Sequence, residues 1–149
     1  MAFPTSYVNA YALAESMKGN VNFDTDTFKW DAYTDSLGAT DKDAMEAIGS
    51  APFDSNKVDY TDATPAGAAT MTNPGLTVGS NKIVFDDGSE TGVEWTGATF
   101  TARGIVGFDD THASDLVIAA INFGSDKSVI AGTLTVTWDA TNGVFAITV

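Results

Sequence analysis

The chain has 149 residues, with Lys+Arg 7 against Asp+Glu 20, a formal charge of −13 with its single His neutral, and no cysteine. Seven scattered cations cannot build the basic face that displaces counterions from DNA or RNA, which argues against nucleic acid as a partner. The missing thiols exclude a disulfide scaffold, a thiolate zinc site and a cysteine nucleophile, but leave the compartment open.

Met1-Ala2-Phe3-Pro4-Thr5 has no basic n-region and no signal-peptide core follows it, so the start reads as mature. From Ser6 to Lys18, the apolar residues Tyr7, Val8, Tyr11, Ala14 and Met17 recur at three- and four-residue intervals. With Thr5 or Ser6 to cap it and Gly19 to end it, this spacing predicts a helical N-terminal segment within residues 1–20. Val21-Asn22-Phe23 and Phe28–Tyr33 flank the turn Asp24-Thr25-Asp26-Thr27, and Phe28, Trp30 and Ala32 alternate with Lys29 and Asp31 as a strand does. Thr40-Asp41-Lys42-Asp43 resembles a capping box ahead of Ala44, Met45 and Ile48, which predicts a second short helix ending at Gly49. Residues 50–80 contain Pro52, Pro65, Pro74 and several glycines, so only weak strands are predicted, near Lys57–Tyr60, Ala69–Met71 and Leu76–Val78.

Beyond this the pattern sharpens. Lys82–Phe85 runs into the turn Asp86-Asp87-Gly88, and Val93–Trp95 leads through Gly97 into a strand over Ala98–Phe108. Phe100, Ala102, Gly104, Val106 and Phe108 are expected on one face of that strand. Leu116–Ile121 is apolar on both faces, as a strand covered on both sides would be, and Gly124-Ser125-Asp126-Lys127 reads as a polar loop after it. The run to Phe123 is broken by Asn122 and falls far short of the roughly 20 residues of a spanning helix, so no membrane partner is expected. Thr133–Trp138, then Asp139–Gly143, then Val144–Val149 read as a hairpin, with Phe145, Ile147 and Val149 on one face and Asn142-Gly143 supplying the turn. Strands spaced by roughly ten residues predict a mainly all-β fold: one domain, residues 1–149, built as an antiparallel β-sandwich, jelly-roll-like, with one or two short N-terminal helices.

Sites are sparse. The carboxylates come in groups: Asp24 with Asp26, Asp41 with Asp43, Asp86 with Asp87 and Glu90, and Asp109 with Asp110. All fall in expected turns, where Asp binds its own backbone, so a glycosidase pair is disfavoured. Asp86-Asp87-Gly88-Ser89-Glu90 could take calcium but lacks the EF-hand spacing. His112 is the only imidazole, which rules out a two-histidine metal site, and there is no Gly-x-Ser-x-Gly elbow to partner it, so it reads as a loop histidine. No glycine pattern for nucleotide phosphates occurs. No catalytic residue, cofactor or metal is therefore expected, and the chain does not read as an enzyme. Arg103, the only arginine, reads first as an outward side chain paired with nearby acids and second as an intersubunit contact. Trp30, Trp95 and Trp138 read as core.

Several segments taken together carry a resemblance. They are Pro4-x-x-Tyr7, Lys18-Gly19, Asn22–Lys29, Val93–Thr96, Ala98–Arg103, Ile121–Ser125 and Thr135–Val144. In these stretches the chain resembles a family of small tailed-phage virion proteins, covering both ends and leaving the middle uncovered. The resemblance implies a β-sandwich structural component and no catalytic residue. The expected role is capsid decoration, as an acidic homo-oligomeric cement protein bound to the major capsid protein, made in the host cytoplasm and located on the virion. The alternative is a tail, neck or head-fibre component with an adhesin-like, carbohydrate-binding role. The loops Gly107–Ser114 and Gly124–Ser128 contain no Trp or Tyr, which weakens that alternative.

Overall fold

The computed structural model describes residues 2–38, 40–88 and 92–148. Among the described residues the chain is all-β apart from one short helix. In order come β1 (Tyr7–Val8), α1 (Ala10–Met17), β2 (Phe28–Tyr33), β3 (Ala69–Thr70), β4 (Gly75–Gly79), β5 (Lys82–Asp86), β6 (Val93–Asp109), β7 (Leu116–Val136) and β8 (Phe145–Thr148). A five-stranded sheet has the order β1-β7-β6-β2-β3, and a three-stranded sheet the order β4-β5-β8. Every strand pairing is antiparallel.

The two sheets meet over an aromatic core. Phe23 stacks on Phe28 at 5.4 Å, Phe28 meets Phe85 edge-on at 5.1 Å, and Phe85 lies 5.3 Å from Phe145. Phe28 comes from the larger sheet and Phe85 and Phe145 from the smaller, so these rings hold the layers together and the arrangement is sandwich-like. A second cluster, with Tyr33, Phe53, Val106, Phe108 and Val117, covers the opposite face of the larger sheet. Leu116 and Ile118 face the first cluster while Val117 and Ala120 face the second, so the start of β7 is buried on both faces, as its continuous apolar run predicts.

Several local expectations change. The helix begins at Ala10, because Asn9 caps it by accepting the Ala12 N–H, and Tyr7 and Val8 instead pair with Ala120 and Ala119. Gly19, at φ 82°, ends it as predicted. There is no second helix over 40–49. The Asp41 carboxylate accepts the Asp43 N–H, a local bond that competes with the helix, and the following residues lie extended beside β7. Ala47 bridges Leu116, and the Ile48 N–H donates to the Asp115 carbonyl. Val21 and Phe23 are buried without forming a strand, and Lys57–Tyr60 contributes only the bridge from Lys57 to Tyr33.

The single face expected along β6 splits in two. Phe100 and Ala102 belong to the first cluster but Val106 and Phe108 to the second, because the β6–β7 register slips between Ala102 and Gly104 and reverses the alternation. The same slip absorbs the predicted polar loop: Gly124–Lys127 lies inside β7, and Gly124, at φ 75°, accommodates the irregularity.

The C-terminal hairpin is the largest correction. β7 pairs with β6 and β8 pairs with β5 in the other sheet, so 137–144 is a crossover between layers. Asp139 accepts the N–H groups of Thr141 and Asn142, the Gly143 N–H donates to the Asp139 carbonyl, and the Val144 N–H donates to the Phe85 carbonyl. A tight turn therefore forms where the sequence suggests one, but it delivers the chain to β5 and not back onto β7. Within β8, Phe145 is buried; Val149 of the expected face lies outside the described residues.

Candidate functional site

The distal half of the β6–β7 ribbon carries an accessible strand edge and an open groove. β1 pairs with β7 only at Ala119 and Ala120, so from Phe123 to Val136 the outer edge of β7 has no strand beside it among the described residues. Phe123, Leu134 and Val136 of this edge form an open groove of about 490 Å³ with Asp126 and Lys127 on its rim. Ile130, at the bulge where Ala131 adopts φ 45°, is 83% exposed. From Ser128 to Thr137 the chain has no charged residue, although the protein carries −13 overall.

Arg103 stands beside this groove. Its Nε lies 2.7 Å from Asp126 Oδ1 and 3.5 Å from Asp35 Oδ1, and its guanidinium is held further above its ordinary range by the bond to Asp126. Arg103 thus joins the bulged part of β7 to the loop after β2 within one chain, which is the first of its two sequence readings.

The carboxylate groups behave as turn residues. Asp26 accepts the Asn22 N–H at 2.6 Å, Asp86 accepts the Gly88 N–H at 2.9 Å, and Asp87 accepts the Gly92 N–H at 2.8 Å. Asp24 reaches further, accepting the Leu76 N–H of the smaller sheet at 2.7 Å. Asp43 is ion-paired with Lys42, and Asp110 with Lys29. Ser89 and Glu90, the second half of the candidate calcium loop, lie outside the described residues. Among the described residues there is no group of three or more His, Asp or Glu side chains able to hold a metal ion. His112 donates its backbone N–H to Asp109, and its Nδ1 accepts the Ser114 N–H at 3.2 Å, so the ring caps its own turn. Trp30, Trp95 and Trp138 are buried, with Trp30 and Trp138 5.0 Å apart and the Trp95 Nε1–H donating to the Gly67 carbonyl.

Sequence reasoning missed one buried polar network. Asp31 is 3% exposed; it pairs with Lys57 at 2.6 Å and accepts the Tyr60 hydroxyl at 3.0 Å, while that hydroxyl oxygen accepts the Ala32 N–H at 2.6 Å. Burial first, then the Asp31 charge, pushes the Tyr60 phenol far above its ordinary value, so the hydroxyl remains a donor. The strand alternation suggested an exposed Asp31, and the one available signal was Lys57-x-x-Tyr60 in a segment otherwise without pattern.

No protein-family model, curated protein or solved structure matches the chain. Fold and site together define the class: an antiparallel, sandwich-like all-β protein with a long strand edge beside an apolar groove.

Proposed function

We propose that this protein is a phage virion structural component, acting as a capsid decoration protein that binds the major capsid protein and associates with copies of itself. The observation that carries the reading is the outer edge of β7, uncharged from Ser128 to Val136. A protein added in many copies to a repeated surface needs a rigid body and an accessible edge or patch, and a free strand edge offers main-chain hydrogen bonds to a neighbouring strand. The β8 edge, Phe145–Thr148, which among the described residues has β5 on one side only, is a second place for such a contact. A formal charge of −13 supports solubility before assembly, and closed symmetry would use up the edges that an open arrangement would leave to grow into filaments. The resemblance to small tailed-phage virion proteins supports the same assignment.

The test is the composition and imaging of purified particles. Many copies spread over the head are expected. A few copies confined to neck or tail would favour the tail, neck or fibre alternative, and absence from particles would refute both. Structural proteins turn over no substrate, so peptidoglycan, polysaccharide and ester panels are expected to be silent. An activity abolished by His112→Ala or Asp86→Ala would overturn the reading.

A further inference from the structure

Asp109, the last residue of β6, is fully buried. Its Oδ1 accepts the Thr111 N–H at 2.8 Å and the His112 N–H at 3.1 Å, which shapes the loop between β6 and β7. Its Oδ2 is buried and meets no N–H or O–H donor among the described residues. The Asp26 carboxyl lies within hydrogen-bonding reach of Asp109, and itself accepts the Asn22 N–H. Two carboxylates bind each other only if one holds a proton, and two ionised ones in a buried site repel.

We propose that Asp26 and Asp109 hold one proton between them and so form a latch, strengthened by acid, that ties the turn 22–27 to the end of β6. Two further bonds run alongside it. The Thr27 N–H donates to Thr111 Oγ1, and the Asp110 N–H donates to the Thr27 carbonyl, both at 2.8 Å. The same turn reaches the smaller sheet through Asp24 and the Leu76 N–H, so the latch bears on the join between the two layers. Among the described residues the neighbouring charges do not supply a counterion. In the turn, Asp24 adds negative charge; on β2, Lys29 is committed to Asp110 at 2.8 Å; on α1, Glu15 is bound by Lys18 at 2.7 Å; and in the loop, the His112 Nδ1 is occupied by the Ser114 N–H. Burial first, then the Asp26 charge, pushes the Asp109 carboxyl up to about 6.

The folded state holds the proton more tightly than the unfolded chain, so this contribution is complete at low pH and is lost as pH rises through about 6. Asp109→Asn replaces the shared proton with a permanent donor: its Nδ2 faces Asp26 while its Oδ1 keeps the Thr111 and His112 N–H groups. The experiment is thermal unfolding of the full chain and of Asp109→Asn from about pH 4 to about pH 7.5, with a carbon-13 carboxyl titration of Asp109. The variant is expected to gain on the parent as pH rises and to level off above about pH 6, where the Asp109 resonance has its midpoint. Parallel profiles, or an Asp109 midpoint at the ordinary value of about 4, would overturn the latch. If Asp109→Asn fails to fold, Asp26→Asn presents its Nδ2 from the other side and carries the same expectation. Stabilisation of the parent by millimolar calcium at about pH 7.5, absent in either variant, would overturn it too, since a cation would then bridge the pair.

Discussion

Gly107→Ala adds a single methyl group, and the structure leaves no room for it. Gly107 lies directly across from Trp30 in the β2–β6 pairing, and the indole lies against its Cα. A Cβ built there would stand 2.7, 2.8 and 2.8 Å from three atoms of the Trp30 ring, well inside ordinary van der Waals contact. Trp30 has little room to move, because it is fully buried and packs against Trp138 with ring centroids 5.0 Å apart. Overpacking of this kind costs about 1–3 kcal/mol, and with no flexible neighbour to give way the upper end applies. For a domain of this size each kcal/mol lowers Tm by roughly 2–4 °C, so a fall of about 6–12 °C is expected in a thermal melt. Gly49→Ala, where nothing lies within 4 Å of the added Cβ, is the control and should leave Tm nearly unchanged. Trp30→Phe removes the clashing part of the ring together with an indole N–H that has no acceptor among the described residues, so it should cost less in the Gly107→Ala background than in the parent. A Gly107→Ala melt within a degree or so of the parent, or additive costs in the double variant, would refute the packing argument.

The remaining predictions address other links in the structure. Phe85→Ala, which empties the centre of the aromatic junction between the sheets, should cost about 3–5 kcal/mol in a denaturant titration. Lys57→Met strips the cation from buried Asp31 and should cost about 1.5–3 kcal/mol, with Asp31→Asn in the same background recovering part of the loss. Arg103→Ala should leave the melting temperature of the isolated chain within the scatter of repeat measurements, because its partners Asp126 and Asp35 are about half exposed and solvent screens the pairs; a change confined to association, read by light scattering, would mark it as an intersubunit contact. Asp139 is held below its ordinary range by the Thr141 and Asn142 N–H groups, so it stabilises the fold above that range and loses the effect as pH falls. The gap between parent and Asp139→Ala should accordingly close on acidification below about pH 4.

What was legible in the sequence was local. Strand alternation marked β2 and the Ala98–Phe108 part of β6, the turn at Asp86-Asp87-Gly88 closed β5, and the apolar run at Leu116–Ile121 marked a strand covered on two faces, while the middle of β7 read as a loop. Pairing was not legible, because alternation shows which face is buried and not which strand lies alongside. Thr133–Trp138 and Val144–Val149 look like a hairpin for that reason, although Phe85 holds the second of them in the other sheet. Register slips were hidden as well: the one between Ala102 and Gly104 changes the face of every residue after it, and no residue type announces it. The failure at 40–49 was a competition. The same Asp and Thr residues suit a helix cap and a free-standing turn, and contact with Asp115 and Leu116 selected the turn. Among candidate sites, Arg103 and the turn aspartates could be read from composition alone, whereas the Asp31–Lys57–Tyr60 network and the approach of Asp26 to Asp109 join segments far apart in the chain.

The topology also sets an order of events during folding. β6 and β7 are joined by only the short loop 110–115 and share the most extensive pairing in the molecule, so they can zip from that loop outward as a local hairpin, a process of about 1–10 μs in small peptides. Every other partner arrives from a distance: β2 must find β6, β1 must find β7 across nearly the whole chain, and β8 can complete the smaller sheet only after β5 is in place. Closing such wide loops places all-β chains of this kind in the millisecond-to-second range. During that interval the ribbon stands with bare edges, and its uncharged stretch from Ser128 to Thr137 is the segment most open to mispairing between nascent copies. The bulges near Gly124 and Ala131 interrupt that edge, and Asp126 and Lys127 flank it as gatekeepers, so the irregularities that disrupt the ladder in the finished fold also protect the chain on its way there.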